Sequence, residues 1–117
     1  MDNRPYEELA NLDRLIHDPA RLSILTVLQK AAFAEFLFLQ RVTGLTPGNL
    51  SGHLSKLEEG GMVKVDKQFL GKKPHTLVQL TDKGREAIDK HWKQLETLHK
   101  GAQKWEPKDA DSGSHSK

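Results

Sequence analysis

The hydrophobic period changes twice within a short span of this chain, and that change limits the fold more than any other feature. In TPGNLSGHLSKLEEGG (residues 46–61), Leu50, Leu54 and Leu57 recur at i, i+4 and i+7, the spacing of one helical face. Thr46 is a good N-cap, Pro47 a good first helical residue, and Gly60-Gly61 a stop. From residue 62 the period drops to two. MVKVDKQFL sets Val63 and Val65 against Lys64 and Asp66, and HTLVQL is β-branched and apolar. GKKP between them is a turn with Gly71 and Pro74, so this is a β-hairpin with a basic tip. Thr81 then caps a long helix from Asp82 to about Lys104, with a stripe through Ile88, Trp92, Leu95, Leu98, Ala102 and Trp105.

Upstream of residue 46 the pattern is helical throughout. Pro5 opens a first helix, about 6–16, with Leu9, Leu12 and Leu15 or Ile16 in one stripe. HDPARLSILTVL starts a second at Asp18 and Pro19, apolar around much of its girth and therefore central. A short third helix, about 35–43, stops at Gly44. The expected fold is mainly α with a small β-hairpin wing (α+β). Helices two to four and the hairpin form a winged helix–turn–helix, with the short turn TGLT containing Gly44. The first and last helices flank it. Residues 1–105 make one domain, and the polar tail 106–117 is expected to be disordered.

Composition removes several classes of function. A chain of 117 residues supports one small core, and help from a partner chain fits its thin margin. No apolar run approaches the roughly 20 residues that span a bilayer, and MDNRPYEELA lacks the core of a signal peptide, so no membrane partner and a cytoplasmic home are expected. With no cysteine, disulfide, thiolate and sulfur-ligated metal chemistry are absent. No nucleophile elbow, phosphate loop, His-Glu-x-x-His or dinucleotide fingerprint is present, so no catalytic residues and no cofactor are assigned. The net charge of +2 is unevenly spread: residues 21–80 hold eight basic and four acidic side chains. A basic middle suits a polyanion, although such an excess is common on ordinary surfaces.

The helix at 46–59 carries a puzzle. Gly48 and Gly52 lie in its first turns, where each costs roughly 1 kcal/mol relative to alanine. At 100° per residue they stack opposite Leu50, Leu54 and Leu57, on a face shared with Ser55, Lys56 and Glu59 and flanked by Asn49 and Ser51. A bare outward face lets the backbone approach something closely, and a DNA major groove admits such a helix. Asn49 can pair with adenine, Ser51 and Ser55 can bond bases or phosphates, and Lys56 can reach phosphate or guanine. The alternative is that the glycines are merely tolerated surface residues. Lys72 and Lys73 at the hairpin turn suit phosphate contact, although a lysine pair at a turn is usually just solvated.

The run "LTPGNLSGHLSKLEEGGMVKV…FLGKKPHTLVQLTDKGREAI", with "DPARLSILTVL" before it, resembles winged-helix transcriptional regulators of the MarR/ArsR type. The resemblance spans about residues 12–95 and is most specific at 45–88. It implies a homodimer on a pseudo-palindromic double-stranded operator, with the 46–59 helix in the major groove and the wing at 70–75 on the flanking backbone. Repression is what the family would lead one to expect. The matching positions Thr46, Pro47, Gly48, Asn49, Ser51, Gly52, His53 and Lys56 would lie on or beside the DNA surface. A partly buried, hydrogen-bonded role for His53 stands beside base contact.

Metal-sensing relatives use cysteines on the third helix or an Asp/His set on the last. Here EFLFLQR has none, and Asp89 and His91 lack a partner histidine, since the matching position is Ala102. No metal is assigned. Phe36, Leu39 and Val42 should face the core. Leu37 and Phe38 then either pack against the N-terminal helix or the second subunit, or form a pocket for a small apolar effector near the dimer interface. Trp92 and Trp105 are costly to expose. A two-fold dimer through Leu9, Leu12, Ile16, Ile88, Trp92, Leu95, Leu98 and Trp105 would cover them; the alternative is a monomer whose last helix folds back. A winged helix that docks another protein is the competing function.

Overall fold

The computed structural model describes residues 14–104. It contains four helices and a three-stranded antiparallel sheet: α1 (Pro19–Ala31), β1 (Phe33–Glu35), α2 (Phe36–Thr43), α3 (Pro47–Glu59), β2 (Val63–Leu70), β3 (Lys73–Leu80) and α4 (Asp82–Gln103). The expected winged helix–turn–helix is present. The expected first helix falls largely outside the described residues, and its last part, 14–16, is a turn.

Local chemistry sets the helix starts. Asp18 Oδ1 accepts from the Ala20 and Arg21 amides at 2.9 and 3.0 Å, capping α1 at its Pro19 start. Those amides, Arg21's foremost, hold the Asp18 carboxyl below its usual range. Thr46 Oγ1 accepts from the Asn49 amide at 3.2 Å, and Thr81 Oγ1 from the Gly84 amide at 2.9 Å. Gly44, at φ 75°, makes the turn between α2 and α3, where a side chain would be strained.

The core draws on every element: Ile24, Leu25 and Leu28 of α1, Leu39 of α2, Leu50, Leu54 and Leu57 of α3, Val63, Val78 and Leu80 of the sheet, and Ile88 of α4. Val42, expected to face this core, is instead 47% exposed, while Phe36 is half-buried. Two further expectations are corrected here. Ile16 and Ile88 are fully buried in the chain's own core, so they have no surface to offer a second subunit. Burial of a side chain of that size is worth about 1.5–3 kcal/mol, which the monomer already gains.

The sheet has the order β1-β3-β2. Strand β1 was not expected. It leaves α1 through Ala32, whose φ of 68° reverses the chain in one residue, and pairs Phe33, Ala34 and Glu35 with Gln79, Val78 and Leu77. β2 and β3 pair from Val63–Leu80 to Leu70–Lys73, with Gly71 at φ 67° in the two-residue turn. The entry to α4 is tight. A Cβ on Gly84 would lie 2.1 Å from the Met62 carbonyl oxygen, so only glycine fits. Thr81 Oγ1 donates to the Gly61 carbonyl at 2.6 Å and binds the start of α4 to the end of α3.

Candidate nucleic-acid interface

Helix α3 buries Leu50, Leu54 and Leu57 and presents the opposite side to solvent. Thr46, Pro47, Gly48, Asn49, Ser51, Gly52, Ser55 and Lys56 are all exposed, and His53 is half-buried at the edge. An added Cβ on Gly48 or Gly52 would meet nothing of the described chain within 4 Å. Packing among the described residues therefore does not require these two glycines. They bare a strip of helix backbone beside the exposed, Thr46-capped N-terminus, whose dipole favours an anion.

His53 is held from behind. Arg21 Nε donates to the Leu15 carbonyl at 2.6 Å, and its Nη1 lies 3.2 Å from His53 Nδ1. A guanidinium has only donors, so Nδ1 accepts and the ring proton of neutral His53 sits on Nε2. Thus Arg21, at the start of α1, positions a donor at the edge of α3. Sequence reasoning gave Arg21 no role, because its partner is 32 residues away.

The wing stands beside α3. Its helix-facing side is set by register: Val63–Leu80 and Val65–Val78 belong to the core, then Lys67–Thr76 and Phe69–Pro74 continue outward. Between this side and α3 lies a groove of about 630 Å³. Ser51 and Ser55 form one wall, Lys67, Pro74 and Thr76 the other, and Phe36, Leu37 and Leu54 also line it. Lys73 belongs to the groove as well, and Lys72 is exposed in the turn. Glu58 also borders the groove, but its Oε2 accepts the Val65 amide at 3.0 Å and so ties α3 to β2.

A second tie, unread in the sequence, braces the wing. His75 Nδ1 lies 2.7 Å from Glu35 Oε2, linking β3 to β1 on a diagonal of the ladder. Without β1 in view, no local signal joins residues 40 apart.

Helix α4 divides into two parts. Ile88 and His91 are buried, whereas Trp92 is 39% exposed and Leu95 and Leu98 are half-buried. Leu9, Leu12 and Trp105 lie outside the described residues. His91 has no hydrogen-bond partner at either ring nitrogen among the described residues. Desolvation, then the nearby His17 ring at 5.7 Å, lowers its pKa. Asp89 instead accepts from the Gln29 amide group, and two residues along a helix place it on a different side from His91. Among the described residues no group of three or more His, Cys, Asp or Glu could hold a metal, and no helix is long and apolar enough to cross a membrane.

Comparison with known proteins agrees with this geometry. Residues 20–99 match the family model described as a winged helix DNA-binding domain. An uncharacterised protein of Methanocaldococcus jannaschii is 33% identical over 87 residues, 74% of this chain and 95% of that one. The structure of a transcriptional regulator homologue from Pyrococcus horikoshii OT3 matches with a TM-score of 0.77 at 35% identity, covering 82% of this chain and 97% of that chain. A MarR-family regulator from Silicibacter pomeroyi shares the fold at 19% identity, with a TM-score of 0.62 over 92% of this chain and 73% of its own. The chain belongs to the winged helix DNA-binding domain family, with the architecture of MarR-type transcriptional regulators.

Proposed function

We propose that this protein is a sequence-specific regulator that binds double-stranded DNA as a homodimer and represses by occluding its operator. One observation carries the reading. The two helical glycines of α3 face open space at the N-terminal end of an exposed polar helix face, beside a groove and a lysine-bearing wing. Packing among the described residues does not need Gly48 and Gly52, yet α3 still bears their helix-propensity cost, which a closely approaching partner would explain. A major groove is that partner. α3 enters it, Asn49 and Lys56 read base edges, and Ser51, Ser55 and His53 contact bases or phosphates. The phosphate strand then runs in the groove between α3 and the wing, toward Lys67, Lys72 and Lys73.

Dimerisation is proposed through what α4 leaves uncovered, Trp92 with Leu95 and Leu98. A two-fold pair would set two α3 helices one DNA turn apart, roughly 34 Å. A small apolar effector fits the same account. The groove is within the usual size of a ligand site, roughly 300–1,000 Å³. Its Phe36, Leu37 and Leu54 wall is apolar, so an occupant would compete with DNA. The second reading, a protein-docking module, draws on the exposure of Leu37, Phe38 and Val42.

The test is anisotropy with a labelled duplex from the region upstream of the protein's own coding sequence, at several salt concentrations, against a shuffled duplex. Tight, selective binding that falls steeply with salt supports the regulator, because phosphate neutralisation releases counterions. Binding without preference or salt dependence supports the docking module.

A further inference from the structure

We propose that the tip of the wing is an apolar wedge for the DNA minor groove, with Phe69 as its leading side chain and Pro74 across the ladder from it. The inference rests on the duplex-binding reading above and gives that complex a second point of entry.

The hairpin is longer than the core needs. Its last buried cross-strand pair on the helix-facing side is Val65–Val78, yet the ladder continues to Leu70–Lys73. Five further residues at about 3.3 Å each carry the tip roughly 16 Å beyond the core. A two-stranded ribbon is barely stable alone, and its end would ordinarily be polar. Here Phe69 is 73% exposed and Leu70 is 61% exposed, and neither belongs to the core. The fold gains little from these side chains, so they are better placed for a partner.

Charge and register say which partner. The hairpin holds four lysines, Lys64, Lys67, Lys72 and Lys73, against one acid, Asp66. Phe69 lies on the same side as Lys67, two residues further out, and faces Pro74 across the ladder. That side is the wing wall of the groove beside α3. A phosphate strand is what separates a major groove from the next minor groove. With α3 in the major groove and the strand seated between Ser51 and Lys67, the hairpin tip falls over the minor groove. Phe, Leu and Pro are the side chains that proteins insert between base steps there, unstacking them and kinking the duplex. Lys72 and Lys73 hold the flanking phosphates while Phe69 enters, and the fixed ring of Pro74 stiffens its neighbour. With Lys72 and Lys73 engaged on phosphates, the exposed apolar side chain of Phe69 is the one left to enter the groove.

The test uses the full chain and a duplex from its own upstream region with a fluorophore at each end. Anisotropy reads affinity, and energy transfer reads the bend. The wild-type chain should raise transfer on binding. Phe69→Ala should weaken binding on the order of tenfold, as loss of a base-stacking aromatic does, and remove the rise in transfer even at saturation, with the salt slope unchanged. Phe69→Trp should retain the bend. Lys72→Ala with Lys73→Ala should flatten the salt slope but keep the bend at saturation. Because Phe69 is exposed and distal, thermal unfolding of Phe69→Ala should match wild type, which separates a lost contact from a lost fold. Wild-type binding without a bend, or a Phe69→Ala chain that binds and bends normally, overturns the wedge and leaves the regulator reading standing. A change in self-association with no change in bend makes the tip a contact between copies and also overturns it. A wild-type chain that binds no duplex overturns both.

Discussion

Helices α3 and α4 begin alike and end up serving different things. Each starts at a threonine whose Oγ1 accepts the amide three residues on, from Asn49 in α3 and from Gly84 in α4. Each carries glycine in its first turn. In α4 the reason lies inside the chain, because the Met62 carbonyl occupies the place of a Cβ at Gly84. In α3 the described residues supply no such reason, since an added Cβ at Gly48 or Gly52 meets nothing of theirs within 4 Å. The same residue type, at nearly the same helical position, is dictated by packing in α4, whereas in α3 nothing among the described residues requires it. The difference is invisible to helix propensity and obvious in the distances.

Substitutions can break this comparison. The largest effect is expected for Gly84→Ala. A methyl forced against a backbone carbonyl cannot be relieved by a side-chain rotation, and overpacking of this kind costs about 3 kcal/mol. Thermal or urea unfolding would show it, and a near-neutral result would mean that the α4 start relaxes easily. Next, Thr81→Ala should cost up to about 2 kcal/mol, since that hydroxyl caps α4 and also donates to Gly61, while Thr46→Ala should cost about 1 kcal/mol for a cap alone. Equal losses at the two sites would deny Thr81 its second role. Gly48→Ala and Gly52→Ala should act in the opposite direction, each raising stability by up to about 1 kcal/mol.

The smallest effect separates the two helices by pH. His91 on α4 is buried, with His17 beside it and Lys83, Glu86 and Lys90 around the adjoining cavity. Its pKa is depressed in the folded chain, so the unfolded chain binds its proton first. The stability it contributes is full above the ordinary histidine value of about 6.5 and declines as pH falls below it. The lowered pKa of Asp18 adds a second loss at more acid pH, below about 3.9. Replacing His91 by leucine should remove the first decline and leave the second; an unchanged stability profile would contradict that assignment.

Much of this was legible in the sequence wherever one residue type does one local job. Asp18-Pro19, Thr46-Pro47 and Thr81 were read as helix starts and are so. The change of period at residue 62 marked the wing, and GKKP its turn. What escaped notice depends on distance or on strain. β1 is three residues long and follows Ala32 in a backbone conformation that usually calls for glycine, so no turn signal announced it. A stripe at helical spacing cannot say whether its partner is the same chain or another, which is why Ile16 and Ile88 were assigned to a dimer and belong to the core. At the candidate site, the face of α3 followed from counting by 100°. The Arg21–His53 and Glu35–His75 contacts did not, because they join elements far apart in the chain.

The most direct measurement is made on the double variant Gly48→Ala, Gly52→Ala. Its melting temperature and its affinity for the upstream duplex are read side by side with those of wild type. If the bare strip of α3 exists for close approach to DNA, the variant melts higher than wild type and binds the duplex at least tenfold more weakly, since two methyl groups then stand between the helix and the groove. A variant that melts higher and binds as tightly as wild type would contradict the account, because the glycines would then serve nothing outside the chain.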